Sequence, residues 1–590
     1  MILQKLLFPS AATCPNINMY FHQKTGQVQM KEQLVLEPNS IMEGDTYFNS
    51  FSIEKWRKYT TLNNLSVTLS IKGTCDVFLC GVFINEKNVI CRKNDNVVAL
   101  SVDNTERQDY TVKFNLDQYK NCQLLYVQIN AKKETLLYGG AYLTEVDEAK
   151  LPRIKLAVGI CTYHRENFIF KNIDTIKKNI LNVDSPLKNN LDVFISDNAG
   201  TLPLRILRAP HFHIFKNRNY GGSGGFTRCL MEVLKRKAEA EYTHIVLMDD
   251  DIAFDPAILE RMYSFLRLTR RGYADIAIGG AMLILSDRIR QFENGAVLTN
   301  DGMLSFKNKN LNLSTIRNIL VNDVQYENNY NAWCLCCMPL SKIEKNNLPL
   351  PLFIHMDDVE YGVRNHFDFV NLNGICVWHP FGANMRNNSI VYYDVRNKMI
   401  AAASLGGYNL TEYAIRWLRI FRSDIFVYNY SRVRVACQAL RDFLKGIDEF
   451  KKIDPISLNK SLSKYNVNWA DAPLEHIRNV TPLPANKPKK HVRLKKLLNY
   501  ALPAKKRYIV RTCDIAAADP YRAKYLYILD QSTGKERTYK KSILKAVYCY
   551  LECWLLERKI KKQMDKVGLE WRVRVSELYK WDFWKKYLGI

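Results

Sequence analysis

A chain of 590 residues, 47% of them hydrophobic, is too long for one hydrophobic core and too apolar to stay disordered, so it is read as a multidomain globular protein. Its net charge of +26 is unevenly placed: from Thr481 to Ile590 there are 27 Lys and Arg against 10 Asp and Glu, a balance of +17. The 15 cysteines form no dense framework and no paired C-x-x-C sets, and the cluster CLCC (Cys334, Cys336, Cys337) fits no standard zinc spacing, which favours a reducing, cytosolic compartment over a secreted one.

The first stretch, MILQKLLFPSAATCP, is apolar but broken by Gln4, Lys5 and Pro9, and reads as a packing segment instead of a signal peptide. No window carries about 20 uninterrupted apolar residues, so no membrane-spanning helix is expected. Up to about residue 150, segments such as LSVTLSIKG, CDVFLCGVFI and YTVKFNL alternate apolar and polar positions between Gly, Asn and Asp turns, the pattern of a β-sandwich. From residue 151 the apolar strands IKLAVGICTY, LDVFISD and THIVLMDD alternate with helical segments, which predicts an α/β domain with a mostly parallel sheet. After about residue 400 helical periodicity takes over, with a Pro-rich basic hinge, TPLPANKPKKHVRLKK, and then aromatic, basic segments to the C-terminus. The expected layout is a β-sandwich over residues 1–150, an α/β domain over 151–400 and a mainly helical, basic domain over 401–590.

In THIVLMDDDIAFDP an apolar strand runs directly into Asp249, Asp250 and Asp251. Ligands of open α/β sheets bind beyond the carboxyl ends of the strands, and in extended backbone Asp249 and Asp251 share a side with Asp250 opposite. Two carboxylates on one side suit Mg²⁺ or Mn²⁺. An EF-hand loop is excluded by the missing ligand alternation and glycine, whereas an ordinary acidic loop cap remains open. In NRNYGGSGGFTR, glycines 221, 222, 224 and 225 surround a serine just before a helix, and backbone this bare can approach a diphosphate at a helix N-terminus. The stretch is neither a P-loop nor the dinucleotide fingerprint. In LPLPLFIHMDDVEYGVR, Asp357, Asp358 and Glu360 precede a predicted helix; they serve either the helix dipole or, as one carboxylate, proton removal from an incoming hydroxyl. His379 follows an apolar strand in GICVWHPFG and is either structural or a ligand. A metal pair, a diphosphate loop, a later acid pair and a late histidine are together what sugar transfer from a nucleotide sugar requires.

At these residues the sequence resembles inverting glycosyltransferases of family 2 with the GT-A (Rossmann-like) fold, and more narrowly the galactofuranosyltransferases that polymerise mycobacterial cell-wall galactan. TYFNSFSIEKWRKYTT and YGGAYLTE carry the resemblance in the N-terminal region. VGICTYHR, NYGGSGGFTR, LMDDDI, YNAWCLCCMP, LPLPLFIHMDDVEYGVR and VWHPFG carry it in order through the centre, and LYILDQSTGKERTYKK near the end. The resemblance implies that Asp249, Asp251 and His379 ligate Mn²⁺ or Mg²⁺, that Asp358 is the catalytic base with Asp357 beside it, and that Thr162, Arg165, Asp197, Asn219, Gly221, Gly222 and Asp250 bind the nucleotide. Trp333, Glu293 and His355 would bind the acceptor. The family's paired tryptophans stand here as Trp333 and Cys334, and its Lys-Trp before the acid pair as His355 and Met356, so the departures fall on the acceptor side.

The implied donor is UDP-galactofuranose and the implied acceptor a growing, lipid-linked bacterial surface glycan of galactan, O-antigen or capsule type. Another donor, such as a rhamnose nucleotide, and a catalytically inactive glycan-binding protein are the competing readings. The basic C-terminal region is either a solvated helical face or a surface for an anionic membrane, with Trp554, Trp571, Trp581 and Trp584 as interfacial anchors. The expected location is therefore cytoplasmic, peripheral on the inner face of the cell membrane. Nothing resembles a nucleic-acid module, and a homo-oligomer is left open.

Overall fold

The computed structural model describes residues 1–94, 97–203, 210–380, 387–481, 498–504, 506–518, 520–531 and 533–590. The hinge TPLPANKPKKHVRLKK therefore lies, after Thr481, outside the described residues. The chain divides into two compact units, which cut it differently from the expected boundaries at residues 150 and 400. One comprises Met1–Leu298, Leu304–Leu348 and Tyr361–Phe381; the other comprises Thr299–Met303, Pro349–Glu360 and Gly382–Ile590.

In the first unit the N-terminal strands and the α/β strands build one compact body. Nine strands that alternate in the sequence are hydrogen-bonded as a single network, where two separate sheets were expected. The reason is length: Ser66–Ile84 and Leu124–Leu143 are 19 and 20 residues long and pair with each other from Ser66↔Leu143 to Val82↔Leu124, so they carry partners at both ends. A bulge relieves this long ladder at Gly73, whose φ is +126° and where a Cβ would stand 2.4 Å from the Glu134 carbonyl. Only glycine fits there. The helix Ala257–Leu268 joins this sheet to the rest of the unit. Phe265 packs edge-on to Trp56 at 5.0 Å, and the buried Arg261 guanidinium donates to the carbonyls of Phe48 and Asn373 at 3.0 and 2.7 Å.

The α/β sheet has the order Phe212–Lys216, Leu191–Asp197, Leu156–Thr162, His244–Asp249, Leu335–Pro339, Ala277–Ile284 and Asp287–Glu293, with Phe369–His379 also paired to Ala277–Ile284. The first four strands are parallel, and Ala277–Ile284 and Phe369–His379 run in the same direction; Leu335–Pro339 and Asp287–Glu293 run against them, so the sheet is mostly parallel, as expected, with two antiparallel members. From Leu156–Thr162 the chain winds outward to Leu191–Asp197 and Phe212–Lys216, then returns to lay His244–Asp249 on the opposite side of that first strand. The strand order reverses between Thr162 and Asp249, which is where a doubly wound sheet opens a crevice for ligands.

In the second unit the helices Ile390–Leu405, Leu410–Arg422, Tyr430–Phe443 and Ile543–Arg574 pack together. Beside the expected helices there is a four-stranded sheet of Ala470–Asp471, Lys535–Lys540, Ala523–Asp530 and Lys506–Arg511. Alternating aromatic and aliphatic residues in YLYILD and the turn at Gly534 (φ +66°) explain the hairpin. Two of the four tryptophans expected at a membrane surface are core residues instead. Trp571 stacks on Phe443 at 5.3 Å and donates to its carbonyl, and the equally buried Trp584 donates to the Pro349 carbonyl at 2.8 Å.

Candidate functional site

The acid run begins at the last residue of the strand His244–Asp249 and stands at the reversal point of the sheet. What brings His379 to it is a short antiparallel bridge, Ala253↔Trp378, in which each backbone N–H donates to the other residue's carbonyl at 2.9 and 2.8 Å. The bridge joins residues 125 positions apart, two past Asp251 and one before His379. His379 Nε2 then lies 3.2 Å from Asp249 Oδ2 and 3.4 Å from Asp251 Oδ1.

The imidazole's other nitrogen is 2.9 Å from the Pro380 carbonyl, which can only accept, so Nδ1 carries the proton and Nε2 is turned toward the carboxylates. Burial disfavours charge on this ring, but the hydrogen bond and field of Asp249, with the field of Asp251, outweigh it and raise the pKa.

One ligand atom from each of Asp249, Asp251 and His379 lies within 4.8 Å of the other two. Atoms bound to one cation at about 2.0–2.6 Å meet that limit. Asp251 Oδ1 is buried without a hydrogen bond, the type of atom a cation would satisfy. The donor set, two carboxylate oxygens and one neutral imidazole nitrogen, suits Mn²⁺ or Mg²⁺, and the residues fit such an ion.

The charge of the aspartates is also countered by Arg165, which precedes the helix Glu166–Ile176. Its guanidinium reaches Asp250 Oδ1 at 3.0 Å and Asp251 Oδ2 at 2.6 Å. Burial raises the pKa of both aspartates, and the fields of Arg165 and, for Asp251, His379 oppose that rise. Asp250, expected on the opposite side from Asp251, instead shares Arg165 Nη1 with it because the strand ends at Asp249, and it also accepts at its carbonyl from Asn172. Thr162, at the end of the neighbouring strand, is buried.

The glycine stretch is not a loop before a helix: Gly221, Gly222, Gly224 and Gly225 form the first turns of the helix Gly221–Ala240 itself. A Cβ on Gly225 would stand 2.1 Å from Cys161 Sγ, so glycine is required for the helix to lie against the strand Leu156–Thr162. Asn219 Oδ1 accepts from the Gly221 N–H at 3.1 Å, and Asn198 Nδ2 donates to the Gly221 carbonyl at 2.9 Å. Asn198, itself held by Asn217, is a positioning residue that the sequence reading missed; its only signal was its place in FISDNAG after a strand. Asp197 is buried, and its carboxylate already accepts from the backbone N–H groups of Ala199, Gly200 and Leu202. It organises the turn after its strand.

Among the residues expected on the acceptor side, Trp333 is only 5% exposed and packs edge-on to Phe226 and Tyr361, so its ring is a core element of the first unit. Glu293 ends the strand Asp287–Glu293 and is buried; burial pushes its carboxyl up to about 7, against the fields of Lys309 and His379. The raised value means that folding favours the protonated acid. Stability is present below the ordinary glutamate pKa and is lost as pH rises from there to about 7. Glu293→Gln is expected to abolish that slope and to stabilise the protein at pH 8 by on the order of 2 kcal/mol, read from denaturant midpoints at pH 5 and pH 8.

Asp357, Asp358 and His355 belong to the second unit. The acid pair opens the helix Asp357–Arg364, with Asp358 Oδ1 accepting from the Val359 N–H at 2.8 Å. Phe353, His355 and Met356, just before it, all adopt left-handed backbone with φ of 73°, 65° and 71°. Non-glycine residues rarely do so, and three within four positions store strain that the surroundings must hold. Asn397 holds it: its amide donates to the carbonyls of Leu352, Ile354 and His355 at 3.0, 2.7 and 3.0 Å, and Arg396 adds a bond to Leu352. The imidazole of His355 is tied to Asp394 at 2.6 Å. Asn397→Ala is expected to destabilise the protein by about 2 kcal/mol, because buried carbonyls lose their donor, and to lower turnover roughly 100-fold by displacing Asp358. Thermal unfolding and steady-state rates check both.

Residues 3–145 match the family model described as galactofuranosyltransferase 2 N-terminal. Galactofuranosyltransferase GlfT2 of Mycolicibacterium smegmatis is 23% identical over 441 residues, which are 70% of this chain and 66% of that protein. GlfT2 of Mycobacterium tuberculosis is 24% identical over 433 residues, 68% of this chain and 64% of that protein. The chain thus resembles galactofuranosyltransferases while matching slightly less than two thirds of their length. Among solved structures, the mannosyltransferase PcManGT from Pyrobaculum calidifontis in complex with GDP-Man and Mn2+ aligns with 55% of this chain and 83% of its own, at 12% identity and a TM-score of 0.28, too low to support a conclusion.

Proposed function

We propose that this chain is a metal-dependent inverting glycosyltransferase that transfers galactofuranose from UDP-galactofuranose to a growing bacterial cell-surface glycan. The observation that carries the reading is the convergence of Asp249, Asp251 and His379 at the reversal point of the sheet, on a chain similar to galactofuranosyltransferases over 70% of its length. A bound Mn²⁺ or Mg²⁺ would supply positive charge for the leaving diphosphate.

This chain's own residues do the rest. Arg165 and Asn219 orient the nucleotide, with Thr162, Asp197, Asp250 and the bare backbone of Gly221 and Gly222 shaping its cradle. Asp358 removes the proton from an acceptor hydroxyl. That oxygen forms its bond to the anomeric carbon from the face opposite the departing UDP, and the electron pair of the broken C–O bond leaves with the diphosphate. Glu293, whose raised carboxyl is partly protonated near neutral pH, donates a hydrogen bond to a sugar hydroxyl in that form, with His355 on the acceptor side.

The departures at Cys334, His355 and Met356 favour an acceptor different from mycobacterial galactan. A panel of nucleotide sugars, including a rhamnose donor, tests the donor. UDP-galactofuranose should be used at least ten times faster than any other, and a faster rate with a different sugar would replace the assignment. The proposed location is cytoplasmic, on the inner face of the cell membrane, with the basic C-terminal region against an anionic surface where a lipid-linked acceptor is presented. No described helix is long and apolar enough to cross a membrane.

A further inference from the structure

We propose that the segment 575–588 braces the carboxylate read above as the base. Tyr579, acting through Ser404 and Glu360, and Trp584, acting through the Pro349 carbonyl, are positioning residues that set the place of Asp358. The inference rests on the assignment of Asp358 under the proposed function and adds to it residues far along the sequence.

Asp358 and Glu360 stand in the first turn of the helix Asp357–Arg364. The Glu360 N–H closes that turn on the Met356 carbonyl at 2.9 Å, so it ends the strained stretch of Phe353, His355 and Met356. A glutamate serving only the helix dipole would lie in water, but Glu360 is fully buried. Its carboxylate accepts from the Ser404 hydroxyl at 2.6 Å. That donation uses the single hydroxyl hydrogen of Ser404, so in the contact between Ser404 and Tyr579 the tyrosine is the donor. The order Tyr579, Ser404, Glu360 is thereby fixed, and each hydroxyl holds the next group.

Ser404 lies on the helix Ile390–Leu405, which also carries Asp394 and Asn397. A 3.6-residue turn brings these three onto one face. Each secures a different point before or within the acid pair's helix: Asp394 holds His355, Asn397 holds the carbonyls of Leu352, Ile354 and His355, and Ser404 holds Glu360. The start of the stretch is held by the segment 575–588 instead. The indole N–H of the fully buried Trp584 donates to the Pro349 carbonyl at 2.8 Å, and Phe583 and Tyr587 line a small cavity together with Pro351 and Phe353. The segment is itself fastened, because Glu577 pairs with Lys451 and, at 2.9 Å, with Arg574. It therefore secures the strained stretch at Pro349 directly and at Glu360 through Ser404. Left-handed residues between two anchors keep their conformation only while both anchors hold. Releasing one lets the Asp358 carboxylate drift, and a misplacement of about 1 Å can cost about 100-fold in rate.

The test uses the full chain. Tyr579→Phe keeps the ring and removes only the hydroxyl, and Ser404→Ala is the second variant. Each should lower kcat about tenfold while leaving the KM for UDP-galactofuranose unchanged. Ser404→Thr, which keeps a hydroxyl, should recover most of the rate. In the Asp358→Asn protein no base is left to place, so adding Tyr579→Phe should lower the remaining turnover no further. Hydrogen exchange of the amides in Asp357–Arg364, measured without substrate, should quicken about fivefold or more in Tyr579→Phe. The brace is overturned if that exchange is unchanged, or if Tyr579→Phe turns over normally where Asp358→Asn is slow. It is equally overturned if Tyr579→Phe costs the same factor with and without Asp358, or if it raises KM and spares kcat. Full turnover in Asp358→Asn is a different result. It defeats the assignment of the base, and the exchange measurement, which needs no reaction, still decides whether the segment holds this helix.

Discussion

Asp251→Ala is expected to lower transfer by about three decades or more while leaving the fold intact. Asp251 supplies one of two carboxylates in the triad, and its Oδ1 is a buried oxygen without a hydrogen bond. Losing it removes a ligand and most of the charge stabilisation a cation gives a leaving diphosphate, worth several kcal/mol. The protein itself should not suffer. Asp249 and Asp250 would repel a smaller neighbour charge, and Arg165 would keep its bond to Asp250 at 3.0 Å. The melting temperature without metal should therefore stay the same or rise, whereas Mn²⁺ should raise it only in the unaltered protein. A variant that transfers sugar at a normal rate would make the acid run a structural cap.

Asp358→Asn is the second large effect, with turnover reduced about 10²–10⁴-fold and nucleotide binding retained. The substitution preserves size and still offers an oxygen to the Val359 N–H at the start of the helix Asp357–Arg364. Only the capacity to take a proton is lost. Rates measured together with UDP affinity separate the two roles. Slow turnover with unchanged affinity is expected. Nearly full turnover would reduce Asp358 to a charge at a helix end and place the base elsewhere.

Much of this arrangement was legible because it is local. The apolar run His244–Met248 ending in three aspartates is a strand meeting a ligand crevice, and that reading needs only the period of the side chains. What could not be read depends on contacts between distant residues. The Ala253↔Trp378 bridge that delivers His379 joins two ordinary residues with no pattern between them. The antiparallel strand Leu335–Pro339 looks like any buried apolar run, since direction leaves no trace in composition. Asn397, which fastens the strained turn before the acid pair, is one asparagine in a long helix. The glycines were legible as a place where backbone must come close. That the near partner is Cys161 as well as any diphosphate follows only from the packing. Tryptophans in a basic segment were equally ambiguous: Trp554 faces outward, whereas Trp571 and Trp584 fill the core.

The central claim is that the carboxylate–imidazole triad serves sugar transfer from UDP-galactofuranose, and it is tested most directly by one assay. Purified protein is incubated with UDP-galactofuranose and a synthetic galactofuranosyl acceptor, with Mn²⁺ or with EDTA, and the product is identified by mass and by the configuration of the new bond. The account predicts an acceptor lengthened by one or more hexose units with inverted anomeric configuration, formed with Mn²⁺ and lost with EDTA or in Asp251→Ala. Equal product with EDTA, a retained configuration, or no product with this donor alongside product from another nucleotide sugar would contradict it.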